Sequence, residues 1–389
     1  AVVPTNSTYT WTIVTDNNLL TGQQAQNIGQ AVISQTLTNT VNTQQTIVYS
    51  VAPLSGVTGG CAGSPFTLTV YVDPKPTITN QTAEVCSGSS FVASPSNGNG
   101  NIVPAGTTYT YTIETNNNLI TGQSAQSNAQ NNISQALVNT TNIDQVIVYR
   151  VTPTAGNCMG NTFLLTVTVH PKPTIPAAVQ TICSGSSFLI TPVNSGSTII
   201  PANTTYTWTV ANNVSITGKS NQVVPQNNIS QTLTSSSFVP QDIVYTVTPT
   251  SGAAGGCIGN NFFVHVTVAP KPFVLDQQTE ICSGSTFSVI PADGNENIVP
   301  GGTLYSWNIF TNNSNITGQA NETNEHPVIY QTLVNTSNVD QTIVYEVRPR
   351  TGSCIGTTFK VSVVVHPAPT VQNQQITICS ENSFTLNPS

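Results

Sequence analysis

The chain has 389 residues, of which only 6% are charged: 8 Lys and Arg stand against 15 Asp and Glu, for a net charge of −7. Its few cations are scattered, which excludes a nucleic-acid surface, because backbone phosphates call for clustered Lys and Arg. No apolar run approaches the ~18 residues of a membrane-spanning helix, so direct membrane insertion is excluded too, and Thr, Asn, Ser and Gln supply the polar surface.

The first predicted element, TYTWTI at Thr8–Ile13, has period two. Tyr9, Trp11 and Ile13 share one face, and Thr8, Thr10 and Thr12 share the other. Alternation rich in Thr, Val, Ile and Tyr marks half-buried strands. IVYSVAP at Ile47 and FTLTVYV at Phe66 continue the pattern, and DPKPTI at Asp73 breaks it with two prolines. The same phrases then return in the same order. TYTW becomes TYTY at 108, TYTW at 205 and LYSW at 304, while DPKPTI becomes HPKPTI, APKPFV and HPAPTV. The marker prolines Pro4, Pro104, Pro201 and Pro300 are 100, 97 and 99 residues apart, which is the size of one domain. Within 77–173 strands are expected near Val85–Ser94 (split in two), Thr107–Thr115, Leu119–Ile120, Ile133–Asn139, Gln145–Thr152 and Thr162–His170. About seven short strands per ~100 residues predict an immunoglobulin-like sandwich. The fold class is therefore all-β, a tandem array of antiparallel sandwiches. Residues 1–76 form a partial domain without its first strands, 77–173, 174–272 and 273–369 are full domains, and 370–389 begin another. Because the sequence starts and stops in mid-repeat, with no signal peptide visible at Ala1, it reads as a piece of something longer. Core aromatics are expected at Trp11, Tyr111, Trp208 and Trp307 on the third-strand position and at Tyr49, Tyr149, Tyr245 and Tyr345 on the penultimate strand.

A cysteine phrase marks each repeat: VCSGSSF at Val85, ICSGSSF at Ile182, ICSGSTF at Ile281 and ICSENSF at Ile378. The other four cysteines, Cys61, Cys158, Cys257 and Cys354, precede the last strands. If the phrase opens the first strand, its cysteine lies at the pole of the loop before the last strand. The expected disulfides are then Cys86–Cys158, Cys183–Cys257 and Cys282–Cys354, one inside each domain, with the partners of Cys61 and Cys379 outside the chain. Pairing across the short gap, such as Cys61 with Cys86, would have to cross a whole last strand, far beyond the ~7 Å limit between Cα atoms. Disulfides call for an oxidising compartment. The two-proline linkers predict limited joint angles and a stiff rod.

Chemistry is sparse. G-x-S-x-G, H-E-x-x-H and P-loop motifs are missing, so no catalytic residue and no cofactor is assigned. Zinc is disfavoured because no C-x-x-C occurs and His170, His265, His326 and His366 fall apart from the cysteines; these histidines are read as surface residues at strand ends. Asp293, Asn295 and Glu296 hint at calcium, but the equivalent loops lack acids and a plain turn is favoured. N-x-[ST] occurs at Asn6, Asn80, Asn132, Asn139, Asn203, Asn213, Asn228, Asn312, Asn315, Asn321 and Asn335.

The ordered set CSGSSF … NIVPAGTTYTYTI … ITGQ … ISQALVNT … IVYRVTP … C-x-G … VHPKPTI resembles the PKD-like repeat of giant surface proteins of Bacteroidota, above all the flavobacterial gliding-motility adhesins. The resemblance implies export by type IX secretion, display on the outer surface and a role in attachment and gliding. The partners it implies are neighbouring repeats, the outer-membrane anchoring and gliding or secretion machinery, and surface polysaccharide. The family's C-terminal sorting domain is not in this sequence, so export is inferred for the parent protein. A non-enzymatic adhesin stalk leads. The alternatives are a filament subunit joined by strand donation, with Cys379 of one copy bonded to Cys61 of the next, and repeats that bind carbohydrate through exposed aromatics.

Overall fold

The computed structural model describes residues 1–388, and every regular element among them is a β-strand. Residues 1–175, 192–205 and 248–260 make one compact unit, and the remaining described residues make the other.

The second repeat, in the first unit, shows the plan. One sheet has the order Gln126–Gln130, Thr108–Thr115, Gln145–Ala155, Phe163–His170, Gln81–Cys86, and the other has Ile120–Thr121, Ile133–Asn139, Ser89–Ala93. Alternation drives the packing. Along Phe163–His170 the side chains of Phe163, Leu165, Val167 and Val169 are buried while those between them are less so. They meet Phe91, Tyr111, Ile133, Leu137 and Tyr149 from the other strands in one core. The fourth repeat, in the second unit, repeats the order in its large sheet, from Glu322–His326 to Gln277–Cys282, around an equivalent core. The array is thus all-β, as its period-two patterning implies.

Two strands were not legible beforehand. Gln126–Gln130 pairs with Thr108–Thr115 through an irregular register, and Cys158–Met159 is a two-residue hairpin arm. The expected first strand splits as foreseen, but it begins earlier, at Gln81. The split changes sheets. Gln81–Cys86 runs parallel to Phe163–His170, and after a turn at Ser87–Gly88, Ser89–Ala93 crosses to pair with Ile133–Asn139. Gly88 has φ 82°, and Gly185 and Gly284 have φ 83° and 84°, a left-handed conformation that glycine adopts without a Cβ penalty. That turn is what CSGS encodes.

Two regions depart from the plan. In the first repeat the small sheet shrinks to Leu20–Thr21 with Thr38–Asn39, and Ala31–Leu37 forms no strand, although the matching Ile133–Asn139 is continuous. The first strand expected in 370–389 does not form either: residues 367–388 carry only a turn at Ser380–Glu381, and Ser389 lies outside the described residues. Both departures have one cause. A first strand is held by the last strand of its own repeat, about 80 residues downstream, and its second half is held by the strand of the other sheet. Neither half is stable alone, because an unpaired strand leaves backbone donors and acceptors unmet.

Candidate functional site at the repeat junctions

The chemistry that distinguishes this chain lies where one repeat meets the next. Cys86 bonds Cys257 and Cys183 bonds Cys354, with Cα–Cα distances of 5.6 and 5.5 Å and a sequence separation of 171 in both. The expected pairs Cys86–Cys158, Cys183–Cys257 and Cys282–Cys354 do not form. Cys158 and Cys282 are free thiols, as are Cys61 and Cys379. The reason is strand direction. Cys86 closes the first strand rather than opening it, and the parallel register sets it opposite His170, the end of the last strand. Cys158 precedes the start of that strand. The eight-residue strand between them spans roughly 23 Å, against the ~7 Å that a disulfide tolerates. Cys86 and Cys183 therefore reach forward to the C-x-G loop of the following repeat. Closing a loop of this length contributes about 5 kcal/mol on the chain-entropy model; because the two loops interleave, the contributions do not simply add.

The C-x-G glycine has its own task. A Cβ on Gly160 would stand 2.4 Å from the carbonyl oxygen of Pro76, and Gly259 and Gly356 stand in the same relation to Pro173 and Pro272. The loop thus lies directly on the second linker proline, closer than any side chain permits. Linker residues continue into the next repeat: Thr77 pairs with Ile102, Thr174 with Ile199 and Phe273 with Ile298. Lys75 Nζ donates to Asn161 and Lys172 Nζ to Asn260, both at 3.0 Å.

His170 departs from the surface role expected of it. It is buried; its Nδ1 lies 3.0 Å from Asp144 and its Nε2 3.4 Å from Glu84. A Cβ on Gly255, in the loop that carries Cys257, would come within 2.5 Å of the His170 ring. Burial works against the charged imidazole, but hydrogen bonds and charge from Asp144 and then Glu84 outweigh it, and the pKa is raised. His366 is placed likewise between Asp340 and Glu280, and its pKa is raised first by the Asp340 hydrogen bond. In the first repeat Gln44 donates to Asp73 at 2.7 Å at the matching position, and in the third Ala269 and Pro240 stand there. His265 is exposed and His326 half-buried.

The eight expected core aromatics, Trp11, Tyr49, Tyr111, Tyr149, Trp208, Tyr245, Trp307 and Tyr345, are all buried. The tyrosines of the penultimate strand also tie the two sheets together. Tyr149 donates to Gln135 of the ISQ phrase at 2.6 Å, and Gln135 donates in turn to the Ser124 carbonyl at 2.6 Å. Overlooked beforehand was the phenylalanine of the cysteine phrase: Phe91, Phe188 and Phe287 pack against Tyr149, Tyr245 and Tyr345 with ring centroids 5.9, 5.1 and 5.7 Å apart. Its constant place five residues after the cysteine was the available signal. Two sequons are also reassigned. Asn139 and Asn335 are buried, each donating to two backbone carbonyls at 2.7–2.9 Å, so neither amide is open to a glycosyltransferase in the folded state. Asp293 accepts the Val299 N–H at 2.9 Å, as Asn97 accepts that of Val103 and Asn194 that of Ile200, which is a turn cap. Among the described residues no group of three or more His, Cys, Asp and Glu is placed to hold a metal.

No curated protein matches the chain. Solved structures that it is similar to include the human desmocollin-1 ectodomain, at 12% identity over 97% of this chain and 78% of that one with a TM-score of 0.26. The titin I-band fragment I67–I69 is similar at 8% identity over 76% and 97%, with a TM-score of 0.30. The three N-terminal domains of the highly immunogenic outer capsid protein of bacteriophage RB49 are similar at 11% identity over 73% and 95%, with a TM-score of 0.31. The family model of the PKD-like domain matches four successive stretches, 1–76, 83–173, 180–272 and 279–369, so nearly the whole sequence is accounted for and the chain belongs to the PKD-like domain family.

Proposed function

We propose that the chain is a non-enzymatic stalk segment of a large cell-surface adhesin, with domains at 77–173, 174–272 and 273–369 that give reach to a binding region elsewhere in the parent protein. The observation that carries this reading is the pairing of cysteines between successive repeats. A disulfide inside a domain stabilises that domain, whereas one that bridges two repeats maintains their connection under load. Disulfides of this kind form outside the reducing cytosol, which favours an extracellular site. The ordered phrases resemble those of gliding-motility adhesins, and that resemblance supports type IX export, attachment to the outer membrane and a part in gliding on surfaces.

The test is in-frame deletion of 77–369 from the parent protein, with surface display of the remainder checked by antibody on intact cells. The expected outcome is weaker attachment under flow with display unchanged. Unchanged attachment, or a hydrolase or lyase activity of the purified chain, would refute the stalk.

A further inference from the structure

The outward face of the large sheet in the fourth repeat differs from that of its siblings. Along 343–349 the inward residues Ile343, Tyr345 and Val347 are buried, as Ile147, Tyr149 and Val151 are in the second repeat and Ile243, Tyr245 and Val247 in the third. The outward residues change. Where the earlier repeats have Ser50 and Ala52, Arg150 and Thr152, and Thr246 and Thr248, the fourth has Glu346 and Arg348. On the neighbouring strand Asn308 stands in place of Thr12, Thr112 and Thr209. Core packing does not require these changes, because successive side chains of a strand face opposite ways.

Neither new charge is used within the protein. Arg150 pairs with Glu114 and Arg350 with Glu325, but the side chains of Arg348 and Glu346 have no partner among the described residues, although they stand two residues apart on one face. Glu346 lies opposite Lys360 in the register, yet the Lys360 ammonium sits over the Phe310 ring, 4.1 Å from its centroid. The two free charges lie on the floor of a groove of about 490 Å³, beside Ser306 and Asn308. One wall is Thr323 of the irregularly paired edge strand Glu322–His326, and the other is Ile355 and Thr358 of the C-x-G loop. That second wall is held in place, because Cys354 is bonded to Cys183 and Gly356 rests on Pro272. A binding group carried on strands and supported from behind is preorganised.

We propose that this groove is a saccharide site, in which a pyranose unit donates hydroxyl hydrogen bonds to the Glu346 carboxylate and accepts them from the Arg348 guanidinium. Its volume falls within the range of small-molecule sites, about 300–1,000 Å³, but those are lined mainly by apolar side chains. Here Ile355 is the one large apolar side chain that faces the groove, since Trp307, which also borders it, is turned into the core. The occupant must therefore be hydrophilic over most of its surface. A hydroxyl is donor and acceptor at once, so a ring that carries several meets carboxylate, guanidinium, amide and hydroxyl partners together. The flat ends of Glu346, Arg348 and Asn308 each present two hydrogen-bonding atoms side by side, which suits a pair of neighbouring hydroxyls. No exposed ring lines the groove, so the binding differs from the stacking on exposed aromatics considered from the sequence. It places recognition in a repeat itself, in addition to reach, and does not rest on the stalk reading.

The experiment is saturation-transfer NMR on the full 389-residue chain with three probes that share one ring: glucose, glucosamine and glucuronate. The expected result is transfer from the chain to all three. Glu346→Gln should weaken glucosamine at least about threefold relative to glucose, because the amine loses its carboxylate, and Arg348→Gln should weaken glucuronate by a similar factor, because its carboxylate loses the guanidinium. Thermal unfolding should be unchanged in both variants, since both side chains face away from the core. Absence of transfer to any of the three sugars, transfer that neither substitution alters, or an equal loss of all three in either variant would overturn the proposal.

Discussion

Interleaved disulfides give a mechanical prediction that nested or separate ones do not. From Cys86 to Cys354 the chain counts about 270 residues, which fully extended reach about 900 Å at ~3.4 Å per residue. With both bonds closed, the taut route crosses both disulfides and the segment 183–257 between them. That segment is about 74 residues, or about 250 Å. Either bond alone leaves a route of about 97 residues, 257–354 or 86–183, or about 330 Å, so each bond backs up the other. Cys257→Ser should lengthen the tether between Cys86 and Cys354 by only about 80 Å, and only the further loss of Cys183–Cys354 should release the remaining ~570 Å. The assay is single-molecule stretching between handles at these two positions, with and without reductant. One disulfide within each domain would instead leave about 50 residues free, about 170 Å, and Cys257→Ser would then lengthen the tether by about 250 Å. Lengthening by about 250 Å rather than about 80 Å in that single variant would refute the forward pairing and the strand direction on which it rests.

Four further outcomes are expected. Trp208→Ala should cost ~3–5 kcal/mol in chemical denaturation, because Trp208 is buried and its Nε1–H donates to the Ser220 carbonyl at 3.1 Å; a change below ~1 kcal/mol would place it outside the core. Gly356→Ala should lower thermal stability by about 1–3 kcal/mol, since the new Cβ would meet the Pro272 oxygen at 2.3 Å, and a neutral result would show that the junction yields. His170 has a raised folded pKa, so its contribution is complete below the unfolded value of ~6.5 and fades as pH rises through the folded value. Unfolding free energy should therefore fall on going from pH 6 to pH 8, and His170→Gln should flatten part of that slope; an unaltered slope would count against the Asp144 and Glu84 contacts. In a host that attaches N-glycans, mass spectrometry should find Asn139 and Asn335 unmodified in folded, secreted chain.

What the sequence by itself determined is everything that depends on local periodicity. Alternation in TYTWTI and IVYRVTP marked strands and placed Trp11, Tyr111, Tyr149 and Trp208 inside, because a pleated strand turns successive side chains to opposite faces. The ordered phrases marked the repeats and their family. The junction was decided only by tertiary structure. Whether Cys86 opens a strand or closes one depends on Gln81–Cys86, a segment whose alternation is weak and whose pairing partner lies more than 80 residues away. Parallel pairing with Phe163–His170 sends Cys86 to the end of its domain where the next begins, so the bond goes forward to Cys257. His170 was equally illegible: its burial needs Asp144 from its own repeat and the Gly255 loop of the following one. The same dependence explains why ICSENSF at Ile378, nearly identical to its siblings, forms no strand, for strand pairing is a property of two segments and a sequence pattern describes only one.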